Sequence, residues 1–201
     1  MAPAYTRLGV DERRRRLLEL GADLFTRHSY EELSMAAIAR EAGISKALLY
    51  HYFPSKRDYF VATLQQGAEE LQQRTTPDPS LPPAGQLVHS LEAFLAWIDE
   101  NAEAYRKLMQ GANSVPEVRE VIAAVREQTA QRVLDALFPA EAAPAKARAA
   151  VRGWFWFMDG VCLDWLEHRD LGRDEVRDLL LGTLVGSLVA AGASPEALTT
   201  S

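Results

Sequence analysis

Apolar residues recur along the chain at three- and four-residue spacings, the period of an amphipathic helix, and no stretch alternates as a half-buried strand would. The first predicted helix runs from an Asp11 cap to about His28, with Leu17, Leu20, Ala22, Leu24 and Phe25 as its apolar stripe. Leu33 or Ser34 opens a short second helix, Met35 to Ala42, whose inner face is Ile38, Ala39 and Ala42. Gly43 ends it, Ser45 caps a third helix from Lys46 to Tyr52, and Phe53-Pro54 closes that one. Ser55 caps a fourth that runs towards Arg74. Residues 75–83, TTPDPSLPP, hold four prolines, which no helix interior tolerates, so a connection belongs there. Further helices are predicted at about Ala84–Glu100, Ala102–Gly111, Pro116–Phe138, Ala145–His168 and Arg173–Ala191. The expected fold is all-α with about nine helices.

Ser34 to Phe60 is the most informative segment. Two short helices joined by a glycine-containing turn form a helix-turn-helix, in which the second helix enters the major groove of DNA. Ile38, Ala39, Ala42, Ile44, Leu49 and Phe53 fall at spacings that let them meet inside. Ser45, Lys46, Ala47, Tyr50 and His51 are left outside, and such side chains can donate to phosphates or touch base edges. The organisation that follows is a DNA-binding domain over 1–58, with residues 1–10 as an arm, and a second domain over 59–201.

Charge sharpens this division. The whole chain is at −6, yet residues 1–58 carry ten basic against eight acidic side chains and the remainder 12 against 20. Arg13 to Arg16 form either a solvated helix face or part of a phosphate-binding surface. A lone Cys162 cannot make an internal disulfide, and His28 and His51 lack partners at metal-ligand spacing, so neither a disulfide scaffold nor a metal centre is expected. No cofactor motif is found. With no export signal and no long apolar run, the expected location is the cytoplasm, without a membrane partner.

The segment IAREAGISKALLYHYFPSKRDYF resembles the signature of the TetR family of transcriptional regulators: IA, AG, a serine, LY, a ring-rich triplet ending in Phe, and a lysine opening the fourth helix. The resemblance covers residues 11 to about 60. It implies that Lys46–Tyr52 is the recognition helix, with Lys46, Ala47, Tyr50 and His51 facing double-stranded operator DNA and Ser45 capping it. It further implies that Ser34 and Lys56 hold phosphates, with Arg40 as a further phosphate contact. Tyr52 is contact or core. Leu48, where the family commonly has a small polar residue, either meets a thymine methyl or packs inward.

The resemblance also implies that the C-terminal helices dimerise and sense a small molecule. Helices 145–168 and 173–191 are apolar on more than one face, which suits a homodimer through Phe157, Val161, Gly182 and Gly186. Phe94, Trp97, Tyr105 and Met109, with Trp156 or Met158, are candidates to line an effector cavity, and Tyr105 and Asn113 are its candidate polar anchors. Asp159 and Asp164 are either exposed acids or counter-ions for a cationic ligand. The expected activity is that of a repressor released from a pseudo-palindromic operator by a small, largely apolar effector. A ligand-dependent activator and a ligand-free architectural protein are the alternatives, and no catalytic constellation points to an enzyme.

Overall fold

The computed structural model describes residues 9–111, 115–138 and 142–192; Asn113 and the first eight residues of the expected N-terminal arm lie outside these ranges. Nine α-helices and no strand occur among the described residues: α1 (Val10–Arg27), α2 (Met35–Glu41), α3 (Lys46–Tyr52), α4 (Lys56–Arg74), α5 (Pro83–Glu100), α6 (Ala102–Gly111), α7 (Pro116–Leu137), α8 (Ala145–His168) and α9 (Arg173–Ala190). Two starts differ from expectation for local reasons. Gly9 rather than Asp11 precedes α1, which leaves Asp11 and Glu12 in the first turn, where carboxylates meet the positive end of the helix. Pro83 opens α5, because a first-turn proline gives up only an N–H that has no helical partner.

The chain divides into two units between Glu69 and Glu70, within α4 and later than the boundary expected after residue 58. The first half of α4 accounts for the difference, since Tyr59, Phe60 and Thr63 are buried against the N-terminal helices. In this first unit Leu17, Leu18, Leu24, Ile38, Leu49 and Phe53 form the core. Tyr59 donates its hydroxyl to the Leu17 carbonyl at 2.6 Å, and burial pushes that hydroxyl well above its ordinary range. The approach of α1 to α4 depends on Gly21, where an added Cβ would stand 2.5 Å from Thr63 Oγ1 and 2.8 Å from the Tyr59 hydroxyl.

The second unit is built around α8, which packs against α7 and α9 and buries Val151, Trp154, Phe155, Met158, Cys162, Trp165 and Leu166. Trp154 Nε1 donates to the Leu180 carbonyl at 2.9 Å, fixing α9 beside it. Leu180, Leu184 and Leu188 of α9, with Leu91, Leu95 and Ile98 of α5, complete this core. Among the described residues no helix is long and apolar enough to cross a membrane, and no group of three or more His, Cys, Asp or Glu is placed to hold a metal ion.

Candidate nucleic-acid interface

Three local devices hold α3 in place. Ser34 Oγ accepts from Ala37 N–H at 3.2 Å and Ser45 Oγ accepts from Leu48 N–H at 3.1 Å, so each serine caps its helix while its own O–H stays available to a phosphate oxygen. Gly43 adopts φ +65 between them, a left-handed conformation that costs glycine little. Leu49 and Phe53 are buried and fix the rotation of α3.

That rotation exposes Lys46, Ala47, Tyr50 and His51 together, with Tyr50 at 41%. The Lys46 ammonium lies 5.7 Å from the centre of the Tyr50 ring, so these two long side chains share one position on the exposed face. Arg40 of α2 is exposed as well. Tyr52 packs half-buried against the core, and Leu48 is half-buried.

Two sets of basic residues already have partners within the chain. Lys56 does not project freely: its ammonium donates to the Tyr30 carbonyl at 2.9 Å and the Leu33 carbonyl at 3.1 Å, and lies 4.1 Å from the Tyr30 ring centre. Two of its three N–H donors are thus spent on the loop before α2, whose carbonyls have no helical partner there. Within the arginine run, Arg15 is paired with Glu12 and Glu19 and Arg16 with Glu12, while Arg14 lies 5.5 Å from the Phe53 ring centre. Glu12 is accordingly held below the usual carboxylate range by the hydrogen bonds from Arg15 and Arg16.

In the second unit, Tyr105 and Met158 are buried in the core, and Phe94, Trp97 and Met109 pack half-buried against it. Trp156 does not line the interior. It is 71% exposed on the outer side of α8, its ring centre 4.5 Å from the Arg126 guanidinium, because Phe155 and Met158 take the inward positions on either side of it. Asp159 is buried rather than exposed, hydrogen-bonded by the Tyr105 hydroxyl at 2.8 Å and ion-paired with Arg126. Its neighbour Cys162 is fully buried, and burial pushes the thiol up to about 12. Asp164 is exposed and faces His168 at 3.4 Å, whose ring is raised above its ordinary value by the Asp164 carbonyl and carboxylate. Phe157, Gly182 and Gly186 are exposed and Val161 is half-buried. Phe157, Gly153 and Gly186 line an open groove between α8 and α9 whose other walls include Ala149, Ala150 and Ala190.

These arrangements can be set beside known proteins. Residues 17–63 match the family profile described as bacterial regulatory proteins, tetR family, and residues 83–187 match the tetracyclin repressor-like C-terminal domain. A crystal structure of a tetR-family transcriptional regulator from Streptomyces coelicolor superposes with a TM-score of 0.79 at 30% identity, over 94% of this chain and 86% of that one. The transcriptional activator FasR of Mycolicibacterium smegmatis is 34% identical over 110 residues, 52% of this chain and 48% of FasR. The regulator HbdR of Aromatoleum is 27% identical over 63% of this chain and 56% of its own. The chain thus spans about half the length of these two relatives. The repressor KstR of Rhodococcus jostii is 25% identical over 85% of this chain and 80% of its own. Because both profiles fall on the units that the structure separates, and the first encloses the capped helix pair with its exposed face, the chain belongs to the TetR family of DNA-binding transcriptional regulators.

Proposed function

We propose that the protein acts as a homodimeric repressor whose two recognition helices enter successive major grooves of a pseudo-palindromic operator, and that a small, largely apolar effector in the second unit releases it. The observation that carries this reading is the unpartnered apolar face of α8 and α9. Phe157, Leu179 and Val189 are each more than 40% exposed, and Cβ atoms added at Gly153, Gly160, Gly182 or Gly186 would meet nothing within 4 Å. A second copy of the same face fills such open positions and creates two-fold symmetry. Lys46, Ala47, Tyr50 and His51 then read bases, while Ser34, Ser45 and Arg40 hold phosphates. Lys56 is left with one N–H for that purpose. The half-buried Phe94, Trp97 and Met109 beside Tyr105 supply apolar surface for an effector.

The test is selection of bound sites from random DNA by the full-length protein. The expected product is an inverted repeat with half-site centres about 34–36 Å apart, or a multiple of that. Lys46→Ala should narrow the gap between selected and random DNA by about 1–3 kcal/mol. Asymmetric single sites would overturn the dimeric reading. The likeness to FasR, an activator, favours a second reading in which the bound protein raises transcription. Transcription in vitro from a template carrying the selected site separates the two, since a repressor lowers the transcript and an activator raises it.

A further inference from the structure

Among the described residues of the second unit, Asp159 is the buried carboxylate. Three helices converge on it. Tyr105 of α6 donates to Oδ1 at 2.8 Å, Arg126 of α7 donates to Oδ2, and Asp159 itself lies on α8 between buried Phe155 and Cys162. Burial raises the Asp159 carboxyl above its ordinary range, against the pull of Arg126 and Tyr105, and keeps the Tyr105 hydroxyl protonated as a donor. A buried ion pair gains little stability over apolar residues of the same volume, so its presence in an otherwise apolar core calls for another reason.

The two charges differ in depth and in freedom. Arg126 retains 20% of its side-chain surface and Asp159 12%, and the guanidinium lies against Trp156, which is itself open to solvent. Arg126 can therefore swing outwards into water and keep its aromatic contact, whereas Asp159 has no such exit. The space cleared in that movement is the space now filled by the Arg126 side chain. Whatever takes it must bring positive charge or N–H donors, because a bare buried carboxylate is strongly disfavoured. An anionic guest faces the opposite difficulty, gaining Arg126 while stranding Asp159. Next to the carboxylate lies apolar surface: the Phe94 ring meets Tyr105 edge-on at 6.3 Å, and Met109 follows one turn along α6.

We infer that Arg126 is an internal stand-in for a ligand cation, and that the second unit binds amphiphilic cations, an ammonium or guanidinium group on an apolar body, with Asp159 as counter-ion. This rests on the reading that the second unit takes a small molecule, and it adds the charge of that molecule. Tyr105 retains its hydrogen bond to the other carboxylate oxygen when the guest arrives. Arg126 leaves, and with it one of the polar ties between α7 and α8, while the Arg152–Glu127 pair on the same two helices remains.

Decylamine, decan-1-ol and decanoate share one tail and differ in the head, so titration calorimetry of all three into the full-length protein at neutral pH tests the charge. Decylamine should bind about tenfold more tightly than the other two. A chain at −6 attracts any cation, so variants carry the decision. Asp159→Asn keeps an acceptor for Tyr105 but removes the charge, and should abolish the preference. Arg126→Gln removes the internal competitor and should raise decylamine affinity several-fold, which a purely structural pair would not produce. Circular dichroism checks folding, and the double variant Asp159→Asn/Arg126→Gln, with matched neutral groups, replaces a single variant that unfolds and should likewise show no head preference. Equal binding of the three heads, a preference for decanoate, or a preference that survives the loss of Asp159 overturns the inference. Decylamine that binds through Asp159 without loosening DNA supports the site and refutes only the effector reading.

Discussion

Replacing Lys56 by Met keeps most of the stem and removes the ammonium, so it isolates what the charge does. Two hydrogen bonds from an ionised donor are lost, at 2.9 and 3.1 Å, together with the contact to the Tyr30 ring at 4.1 Å. Charge-assisted hydrogen bonds contribute about 1.5–3 kcal/mol each and an exposed cation–π contact about 0.5–1 kcal/mol. The site is only half-buried, so water reaches the freed carbonyls, and a net loss of about 2–3 kcal/mol in the first unit is expected. Fluorescence would miss it, because all four tryptophans lie between residues 97 and 165. Amide hydrogen exchange followed by mass spectrometry resolves the units: protection over residues 17–63 should fall by about 30- to 150-fold while that of α8 and α9 holds. Operator affinity should then fall with little change in its salt dependence. Unchanged protection together with a salt slope shallower by about 0.9 would refute the reasoning, since that pattern belongs to a lysine held by a phosphate.

Other substitutions test other joints. Gly21→Ala should destabilise the first unit by about 1–2 kcal/mol in the same exchange experiment, as overpacking against Tyr59 and Thr63 outweighs the gain in helix propensity. Gly67→Ala, with nothing within 4 Å of the new methyl, should stabilise α4 by up to about 1 kcal/mol and is the control. Gly186→Arg, on the proposed dimer face, should yield monomers in equilibrium sedimentation with weakened operator binding, and an unchanged dimer would place the interface elsewhere. Asp159 is raised by burial, so its burial penalty is relieved as pH falls through its folded value towards its ordinary 3.8. Thermal unfolding of Asp159→Asn should lack that part of the pH dependence.

The helix pair and its exposed face were legible because each feature is decided within a few residues. Ser34 and Ser45 cap helices beginning one position later, Gly43 marks a turn that needs left-handed backbone, and the burial of Leu49 and Phe53 leaves Lys46, Ala47, Tyr50 and His51 outside. What could not be read depends on partners distant in sequence. Lys56 meets carbonyls 23 and 26 residues away, and Asp159 meets groups 33 and 54 residues away, so neither arrangement leaves a local trace. One signal was present for Asp159: it stands four residues after Phe155 and three before Cys162, in register with the buried stripe. Trp156 illustrates the converse, since a large aromatic one position out of that register faces water and covers an arginine.

Cys162 is the only cysteine in the chain, and it lies fully buried with its thiol pushed up to about 12. At neutral pH almost none of it is thiolate, the form that reacts with alkylating reagents and disulfides. The native sequence is therefore already a background for site-selective labelling: a cysteine introduced on the outer face of α3 or α9 can carry a fluorophore or spin label while Cys162 stays unmodified. Distances between labels in the free and DNA-bound protein then become measurable without first rebuilding the core of α8.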